Sequence, residues 1–262
     1  ISKSEEQLHK VRHSLAHLMA AATLEKFPGT KLGIGPVIEN GFYYDFDFKK
    51  GIHLIPHDLP AIEKRVRELI KRNLSFTKKI LTFAEAKKYF KDNPYKLELI
   101  KELNKEKKKI TVYETSADKE IVFTDLCGGP HVLNTSEIPP DAFRLTRLAG
   151  AYWRGSEKNP MLTRVYAVAL ESKKALDDYF IRQAEIEKRD HRILGEKLEL
   201  FIVHDKVGKG LPLWLPNGYF IRHAIEEYMY NLESRHGYSH VLTPHLGKED
   251  LYITSGHLIH YK

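Results

Sequence analysis

His13-Ser14-Leu15-Ala16-His17 is the stretch on which the fold prediction rests, and it lies in a segment with helical spacing. At about 100° per residue, the apolar residues of this segment fall on one stripe of a helix: Leu8, Val11, Leu15, Leu18, Met19 and Ala22. His13 and His17 are one turn apart and are therefore neighbours. The pattern predicts that they project from the opposite side, where alanines leave room for another group. Alone, such a pair is more often two surface histidines than a site.

A second stretch, Asp125-Leu-Cys-Gly-Gly-Pro-His131, changes that balance. It contains Cys127, the only cysteine of the chain. The Gly-Gly-Pro sequence before His131 predicts a tight, irregular loop, and such loops at strand ends often carry functional side chains. In an extended chain, Asp125 and Cys127 point to the same side. We therefore expect the two stretches to form opposite walls of one pocket.

The composition indicates a reducing compartment and a polyanionic partner. The 262 residues allow one large or two ordinary domains. A single cysteine excludes an intramolecular disulfide framework and fits the cytoplasm. No apolar run approaches the roughly 18 residues of a membrane span, and the N-terminus is polar, so we expect no membrane partner and no signal peptide. The net charge of +7 and the pI of about 9.2 suit RNA binding, or simple solubility.

Periodicity predicts an α+β fold in which helices pack on an antiparallel sheet. Strands are expected at residues 31–38 (interrupted at Gly33, Gly35 and Pro36), 41–48, 110–113, 120–123, 144–153 and 162–170. Helices are expected from Leu59 and, after a capping box at Thr82 and Glu85, through Phe90. The pattern of residues 95–103 fits a helix and a strand equally.

The rest of the chain predicts a connection followed by a second domain. A highly charged helix over residues 171–191 is typical of a bridge between domains, and Gly195 marks the expected boundary. Beyond it we expect a strand at 211–215, a turn at Asn217-Gly218, a helix at 219–235 and a strand at 238–244.

Several segments resemble, in the family's order, signatures of the editing domain of threonyl-tRNA synthetases. They are RHSLAHLMAAA (12–22), GIGPVIENGFYYDFD (33–47), TDLCGGPHV (124–132) and LAGAYWRGSEKNPMLTRVYAVA (148–169). KRDHRILGEKLELF (188–201) and GLPLWLPNGYFIRHAIEEYM (210–229) resemble the linker and the first part of the class II catalytic domain. The resemblance implies an editing domain at 1–170, a linker helix at 171–194 and an incomplete class II catalytic domain, its motif 1 region included, at 195–262.

The resemblance implies that this region of a threonine–tRNA ligase hydrolyses mischarged seryl-tRNA(Thr), with His13, His17, Cys127 and His131 as catalytic residues. It also implies that the substrate is bound by Asp125, Tyr44 and Lys96. From the pattern alone, Tyr44 is a core aromatic residue with its hydroxyl at the edge, and Lys96 is one exposed lysine among many. Imidazoles with a pKa near 6.5 can both activate water and protonate the leaving oxygen. The roles of His13 and His17 cannot be divided on this basis.

The same residues, His13, His17, Cys127 and His131, are suitable tetrahedral zinc ligands. Related alanyl editing proteins use zinc, whereas the threonyl resemblance implies none in this domain, so we expect a metal-free site. ATP, magnesium and zinc are expected only in the full-length enzyme, through residues beyond this chain, which we do not expect to aminoacylate alone.

The expected partner is the acceptor end of tRNA(Thr), with a homodimer of the full-length enzyme through the region Tyr219 to Pro244. Two alternatives stay open. The first is a free-standing deacylase that edits in trans, with or without zinc, and the second is a non-catalytic RNA-binding module.

Overall fold

The computed structural model describes residues 3–117 and 120–260. The chain forms two compact units, Ile1–Arg182 and Gln183–Lys262, and the first unit carries every residue predicted to form the site. The predicted domain boundaries at 170/171 and 194/195 stay predictions. Among the described residues, no helix combines the length and the apolar character needed to cross a membrane.

The described part of the chain alternates helices and strands. The helices are α1 (Lys3–Lys26), α2 (Leu59–Lys71), α3 (Phe83–Tyr89), α4 (Pro94–Lys105), α5 (Lys173–Lys188), α6 (His191–Lys197), α7 (Pro216–Arg235), α8 (Glu249–Thr254) and α9 (His257–His260). The strands are β1 (Lys31–Leu32), β2 (Val37–Ile38), β3 (Gly41–Asp47), β4 (Ser75–Leu81), β5 (Ile110–Ala117), β6 (Glu120–Leu126), β7 (Phe143–Tyr152), β8 (Met161–Ala169), β9 (Phe201–Val203) and β10 (Pro212–Trp214).

Two antiparallel sheets build the first unit and confirm the α+β prediction. The larger sheet has the order β1-β3-β8-β7, with β2 also paired to β3, and the smaller has the order β4-β5-β6. Alternation along β3 places Phe42, Tyr44 and Phe46 on one face, and all three are fully buried in the main core with α1. The core therefore sits on the inner face of the larger sheet.

Helix α1 is buried all round in its middle, so the predicted open side is wrong. Every residue from Ser14 to Ala22 is at most 3% exposed, His17 included. The helix contacts α2, β3 of the larger sheet and β6 of the smaller one. The alanines on the histidine side therefore let neighbouring elements approach closely, rather than leaving room for a substrate along the helix.

Residues 95–103, which fit a helix and a strand equally, lie in helix α4. The Asn93 side chain caps its first turn by accepting hydrogen bonds from the backbone N–H groups of Tyr95 (3.1 Å) and Lys96 (3.3 Å). The capping box of α3 is confirmed, because the Glu85 N–H donates to Thr82 Oγ1 and the Thr82 N–H donates to Glu85 Oε2. These caps fix where the two helices start.

Two predictions for the second unit are wrong. Asn217-Gly218 is not a turn but lies in the first turn of α7, which begins at Pro216 because proline suits the first helical position. Gly218 is needed for close packing instead, since an added Cβ would meet the carbonyl oxygen of Leu200 at 1.9 Å. Residues 238–244 form no strand within the described chain. Leu242 there is 98% exposed and has no neighbouring strand to complete a hydrogen-bond ladder.

Candidate functional site

The two sequence stretches meet in one cluster, here called the His/Cys cluster: His13, His17, Cys127 and His131. Helix α1 supplies His13 and His17, and Cys127 follows the last residue of β6. The backbone N–H of Cys127 continues the ladder by donating to the Thr111 carbonyl at 3.0 Å. The possible ligand atoms of the four side chains all lie within 4.8 Å of one another. The fold thus brings together residues more than one hundred positions apart.

Hydrogen bonds on the far side of two imidazoles define which nitrogen faces the cysteine. His13 Nδ1 lies 3.0 Å from the carbonyl oxygen of Pro130, which can only accept, so this nitrogen carries the proton. Ser14 donates its hydroxyl proton to the Lys10 carbonyl at 2.8 Å, so its oxygen accepts from His131 Nδ1 at 3.1 Å. Both Nε2 atoms therefore present lone pairs to Cys127.

Those lone pairs converge on the sulfur. Cys127 Sγ lies 3.2 Å from His13 Nε2 and 3.3 Å from His131 Nε2. The Gly129 N–H also donates to Sγ at 3.2 Å. Because a thiol has one proton, it can donate to only one of the two imidazoles at a time. The other imidazole keeps a lone pair that can accept a proton from a bound water.

Aromatic rings hold the His131 imidazole in place. It stacks between His13, with ring centroids 4.1 Å apart, and Phe76, at 5.0 Å with an interplanar angle of 3°. The rings of Tyr113 and His17 lie at 4.5 and 4.2 Å. These contacts leave His131 little rotamer freedom, so the cluster is preorganised.

Burial makes the cluster a set of neutral groups. Desolvation lowers the pKa of His13, although its hydrogen bond to Pro130 opposes this effect. Desolvation, together with neighbouring imidazoles, lowers the pKa of His17 and His131 well below the ordinary value. Desolvation raises the pKa of Cys127 to about 12. At neutral pH the site therefore holds three neutral imidazoles and a thiol.

A buried ion pair lies beneath the cluster. Lys96 Nζ lies 2.6 Å from Asp125 Oδ1, with side chains only 2% and 4% exposed. Tyr44 donates its hydroxyl proton to Asp125 Oδ2, and Lys96 Nζ lies 3.3 Å from the same hydroxyl. Lys96 of α4 is thus not the exposed lysine that its sequence context indicates, because it is buried against Asp125 of β6. The Tyr44 hydroxyl lies in the interior rather than at an edge, because it connects β3 of the larger sheet to Asp125 of the smaller one.

The third histidine connects the cluster to this ion pair. His17 Nε2 lies 4.0 Å from Asp125 Oδ2. Its Nδ1 is buried and has no hydrogen-bond partner among the described residues. Asp125 Oδ2 accepts one hydrogen bond, from Tyr44, and so retains a lone pair beside His17. This lone pair can bind a donor on a ligand.

Sequence reasoning missed three residues that shape the site. Ser14 holds His131 Nδ1 and accepts a further hydrogen bond from the Val132 N–H at 3.1 Å. Phe76 and Tyr113 pack on the His131 ring. Ser14 was visible inside the His13 to His17 stretch, but the positions of the two aromatic residues depend on strand register, for which the sequence carries no local signal.

The donor set fits a zinc ion. A tetrahedral zinc site with Zn–S near 2.3 Å and Zn–N near 2.05 Å separates sulfur and nitrogen by about 3.5 Å. The two sulfur–nitrogen distances, 3.2 and 3.3 Å, are close to that value. Pro130 and Ser14 also occupy the outer positions that ordinarily orient ligating histidines. His13, His17, Cys127 and His131 would be the ligands.

The raised thiol pKa predicts a poorly reactive cysteine. Because only the thiolate is nucleophilic, alkylation of Cys127 by iodoacetamide at pH 7 should be at least about a hundredfold slower than that of free cysteine. Mass spectrometry of the intact chain follows the reaction without ambiguity, since no other cysteine exists. Free cysteine in the same tube is the control. A rate at or above that of free cysteine would indicate a thiolate at Cys127 and contradict this prediction.

One part of the chain matches a known family of domains. Residues 110–166, which include β5, β6, the Cys127 to His131 loop and β7, match the family model described as "Threonyl and Alanyl tRNA synthetase second additional domain". Over these residues the chain is therefore similar to a domain that threonyl- and alanyl-tRNA synthetases share.

Over nearly its whole length the chain is similar to threonine–tRNA ligases. It is 50% identical over 258 residues to the threonine–tRNA ligase of Borreliella burgdorferi strain ZS7, which is 98% of this chain. The corresponding proteins of Borrelia hermsii and Borrelia turicatae are 49% and 48% identical over the same length. The chain spans 43% of the length of each of these relatives. The predicted resemblance is thus confirmed.

Proposed function

We propose that the first unit is an editing site that hydrolyses the ester of seryl-tRNA(Thr), as part of a threonine–tRNA ligase. The observation that carries the proposal is the convergence of two imidazole Nε2 lone pairs and a thiol beside a buried carboxylate. Neutral imidazoles at this position suit ester hydrolysis at physiological pH. The similarity to threonine–tRNA ligases and the match to a domain of threonyl- and alanyl-tRNA synthetases support a tRNA substrate.

His13 is the general base in this proposal, because it is the least buried of the three imidazoles. Its Nε2 takes a proton from a water molecule as the water oxygen bonds to the ester carbon. When the tetrahedral intermediate collapses, the bond to the ribose oxygen breaks and that oxygen receives the proton. The products are free serine and tRNA with its terminal hydroxyl restored. His17, Cys127 and His131 complete the wall, and Cys127 remains protonated.

Asp125, Tyr44 and Lys96 bind the amino acid moiety. The remaining lone pair on Asp125 Oδ2 accepts a hydrogen bond from the serine amine or hydroxyl. Lys96 and Tyr44 hold this carboxylate in place through the buried ion pair and the phenolic hydrogen bond. The three residues therefore orient the ester carbon toward His13.

Editing has a physical reason in this enzyme class. Serine lacks one methyl group of threonine, and a missing group of that size is worth only about 1–3 kcal/mol, or about 10–200-fold, in a binding pocket. A second site that hydrolyses the wrong ester increases the fidelity beyond this limit. The proposed site is this second site, which acts after the amino acid has been attached to the tRNA.

The remaining parts of the proposal concern the whole enzyme. Residues 195–262 would begin the class II catalytic domain, which would use ATP, magnesium and zinc through residues beyond this chain. The acceptor end of tRNA(Thr) would be the partner, and the full-length enzyme would dimerise through the region Tyr219 to Pro244. Exposed apolar side chains in this region, such as Phe220 (73%) and Val241 (84%), support an interface there.

In the test, the chain is incubated in parallel with seryl-tRNA and with threonyl-tRNA, and the free amino acid released from each is measured. We expect serine to be released and threonine to be retained. Binding of both without hydrolysis would contradict the proposal and favour a non-catalytic RNA-binding module. Equal release of both amino acids would contradict the substrate assignment.

The proposed mechanism requires no metal, although a bound zinc would act as a Lewis acid and lower the pKa of a coordinated water. Although the donor set would fit zinc, the resemblance to threonyl-tRNA synthetases implies none in this domain. We therefore expect purified protein to contain much less than one zinc per chain, and extensive dialysis against a chelator to leave serine release unchanged. Elemental analysis of the native chain and of a His13→Ala variant provides the measurement. Stoichiometric zinc that is lost in the variant would instead support the zinc-dependent alternative.

A further inference from the structure

We propose that Lys78 binds the phosphate of the terminal nucleotide of the RNA substrate, at the rim of the His/Cys cluster. This inference rests on the proposed function, because it names the part of the RNA that is held beside the reacting ester. It concerns a residue that neither the sequence motifs nor the family match singled out.

Strand register places Lys78 on the face of the smaller sheet that carries the site. Lys78 of β4 lies directly opposite Tyr113 of β5, and Tyr113 lies directly opposite Asp125 of β6. Directly opposed residues of antiparallel strands project to the same face. The row therefore runs from the buried carboxylate at Asp125, across the Tyr113 ring, to the exposed lysine.

The distances confirm that this lysine borders the cluster. Lys78 Nζ lies 3.5 Å from the carbonyl oxygen of Gly128, in the loop that carries Cys127 and His131. It also lies 6.0 Å from the centroid of the Tyr113 ring, whose own centroid is 4.5 Å from that of His131. One aromatic ring thus separates the ammonium group from the imidazoles.

The charge of Lys78 is not neutralised within the protein. In residues 3–117 and 120–260, no carboxylate forms an ion pair with Lys78, whereas its neighbour Lys79 pairs with Glu114 at 2.7 Å. The other cation of the site, Lys96, is occupied by Asp125. Lys78 is therefore a cation at this rim that is available to an anionic ligand.

The proposed substrate carries a phosphate close to the ester that is hydrolysed. The ester that is hydrolysed is on the ribose of the terminal nucleotide, and the same nucleotide carries a 5′-phosphate. A lysine ammonium binds phosphate as a point charge. The Tyr113 ring between the two positions offers a flat surface for the ribose or the base. With the ester carbon at His13, the phosphate can extend toward Lys78.

The experiment is a double-mutant cycle, in which Lys78 is changed in the protein and the last phosphodiester is changed in the tRNA. Two versions of the tRNA are prepared, one natural and one with a neutral methylphosphonate in place of the last phosphodiester. Their dissociation constants are measured over a range of salt concentrations with wild-type protein and with Lys78→Ala, Lys78→Gln, Lys78→Arg and Lys79→Ala. The glutamine variant retains a donor for the Gly128 carbonyl but lacks the charge, and the Lys79 variant is the matched control.

We expect Lys78→Ala and Lys78→Gln to weaken binding of natural tRNA about five- to tenfold and to reduce the salt slope by about 0.7. Lys78→Arg and Lys79→Ala should stay within about twofold of wild type, and all variants should bind the methylphosphonate tRNA alike. In serine release, the alanine variant should raise KM with kcat nearly unchanged.

Three results would overturn the inference: equal effects of Lys78→Ala and Lys79→Ala, the same loss on both RNAs, or wild-type affinity in Lys78→Gln. Failure of wild-type protein to release serine would refute the proposed function instead. The binding cycle would still decide the role of Lys78.

Discussion

Replacing His13 with alanine should lower the rate of serine release from seryl-tRNA by about 10²–10⁴-fold, which is the usual contribution of a general base. His13 Nε2 faces Cys127 Sγ at 3.2 Å, and its Nδ1 proton is held by Pro130. Removal of the imidazole leaves the adenosine ester bound but without a proton acceptor. The loss should therefore appear in kcat under single-turnover conditions, with the dissociation constant for tRNA little changed.

The control for this prediction lies one turn earlier on the same helix. His9 is exposed, and its ring is 6.4 Å from that of His13, but it does not belong to the His/Cys cluster. His9→Ala should retain the wild-type rate within about twofold, since surface substitutions of this kind have small effects. Full activity in His13→Ala, or equal losses in the two variants, would remove His13 from the proposed chemistry.

Replacing Lys96 with methionine should destabilise the first unit by about 3–5 kcal/mol, because it leaves the buried Asp125 carboxylate without its cation. The Tyr44 hydroxyl and the Leu126 N–H still donate to that carboxylate, but neither carries a charge. The measurement is the urea dependence of unfolding, from which the free energy of unfolding is extrapolated.

Two further variants test the reason for that loss. Lys101→Met changes an exposed lysine of the same helix α4 and should alter stability by less than about 0.5 kcal/mol. The double variant Lys96→Met, Asp125→Asn removes both charges and should recover part of the lost stability. A loss below about 1 kcal/mol in Lys96→Met would show that the ion pair does not contribute as its burial implies.

The sequence predicts each half of the His/Cys cluster, because each half depends on local geometry, whereas the meeting of the two halves depends on the fold. His13 and His17 are one helical turn apart, and a Gly-Gly-Pro loop can bring Cys127 and His131 to the same side. The alternation of β3 and the capping box of α3 are local in the same sense. Such patterns need no information from distant parts of the chain.

The rest of the site depends on contacts between distant residues. The burial of Lys96 follows from the position of α4 beside Asp125, and the place of Lys78 follows from the register of β4 on β5. Neither position has a local signature. For residues 238–244 the local signal was misleading: their composition favours a strand, but no strand in the described chain pairs with them.

The central claim is that His13, Cys127 and His131 line the pocket that receives the aminoacylated adenosine. The most direct measurement is an NMR titration. The protein carries ¹⁵N-labelled histidines, and the ligand is a stable serine amide of 3′-amino-3′-deoxyadenosine. We expect the ring nitrogen signals of His13 and His131 to shift together with ligand binding, while that of His9 stays unchanged. Saturable binding that leaves the His13 and His131 signals unmoved would contradict the account.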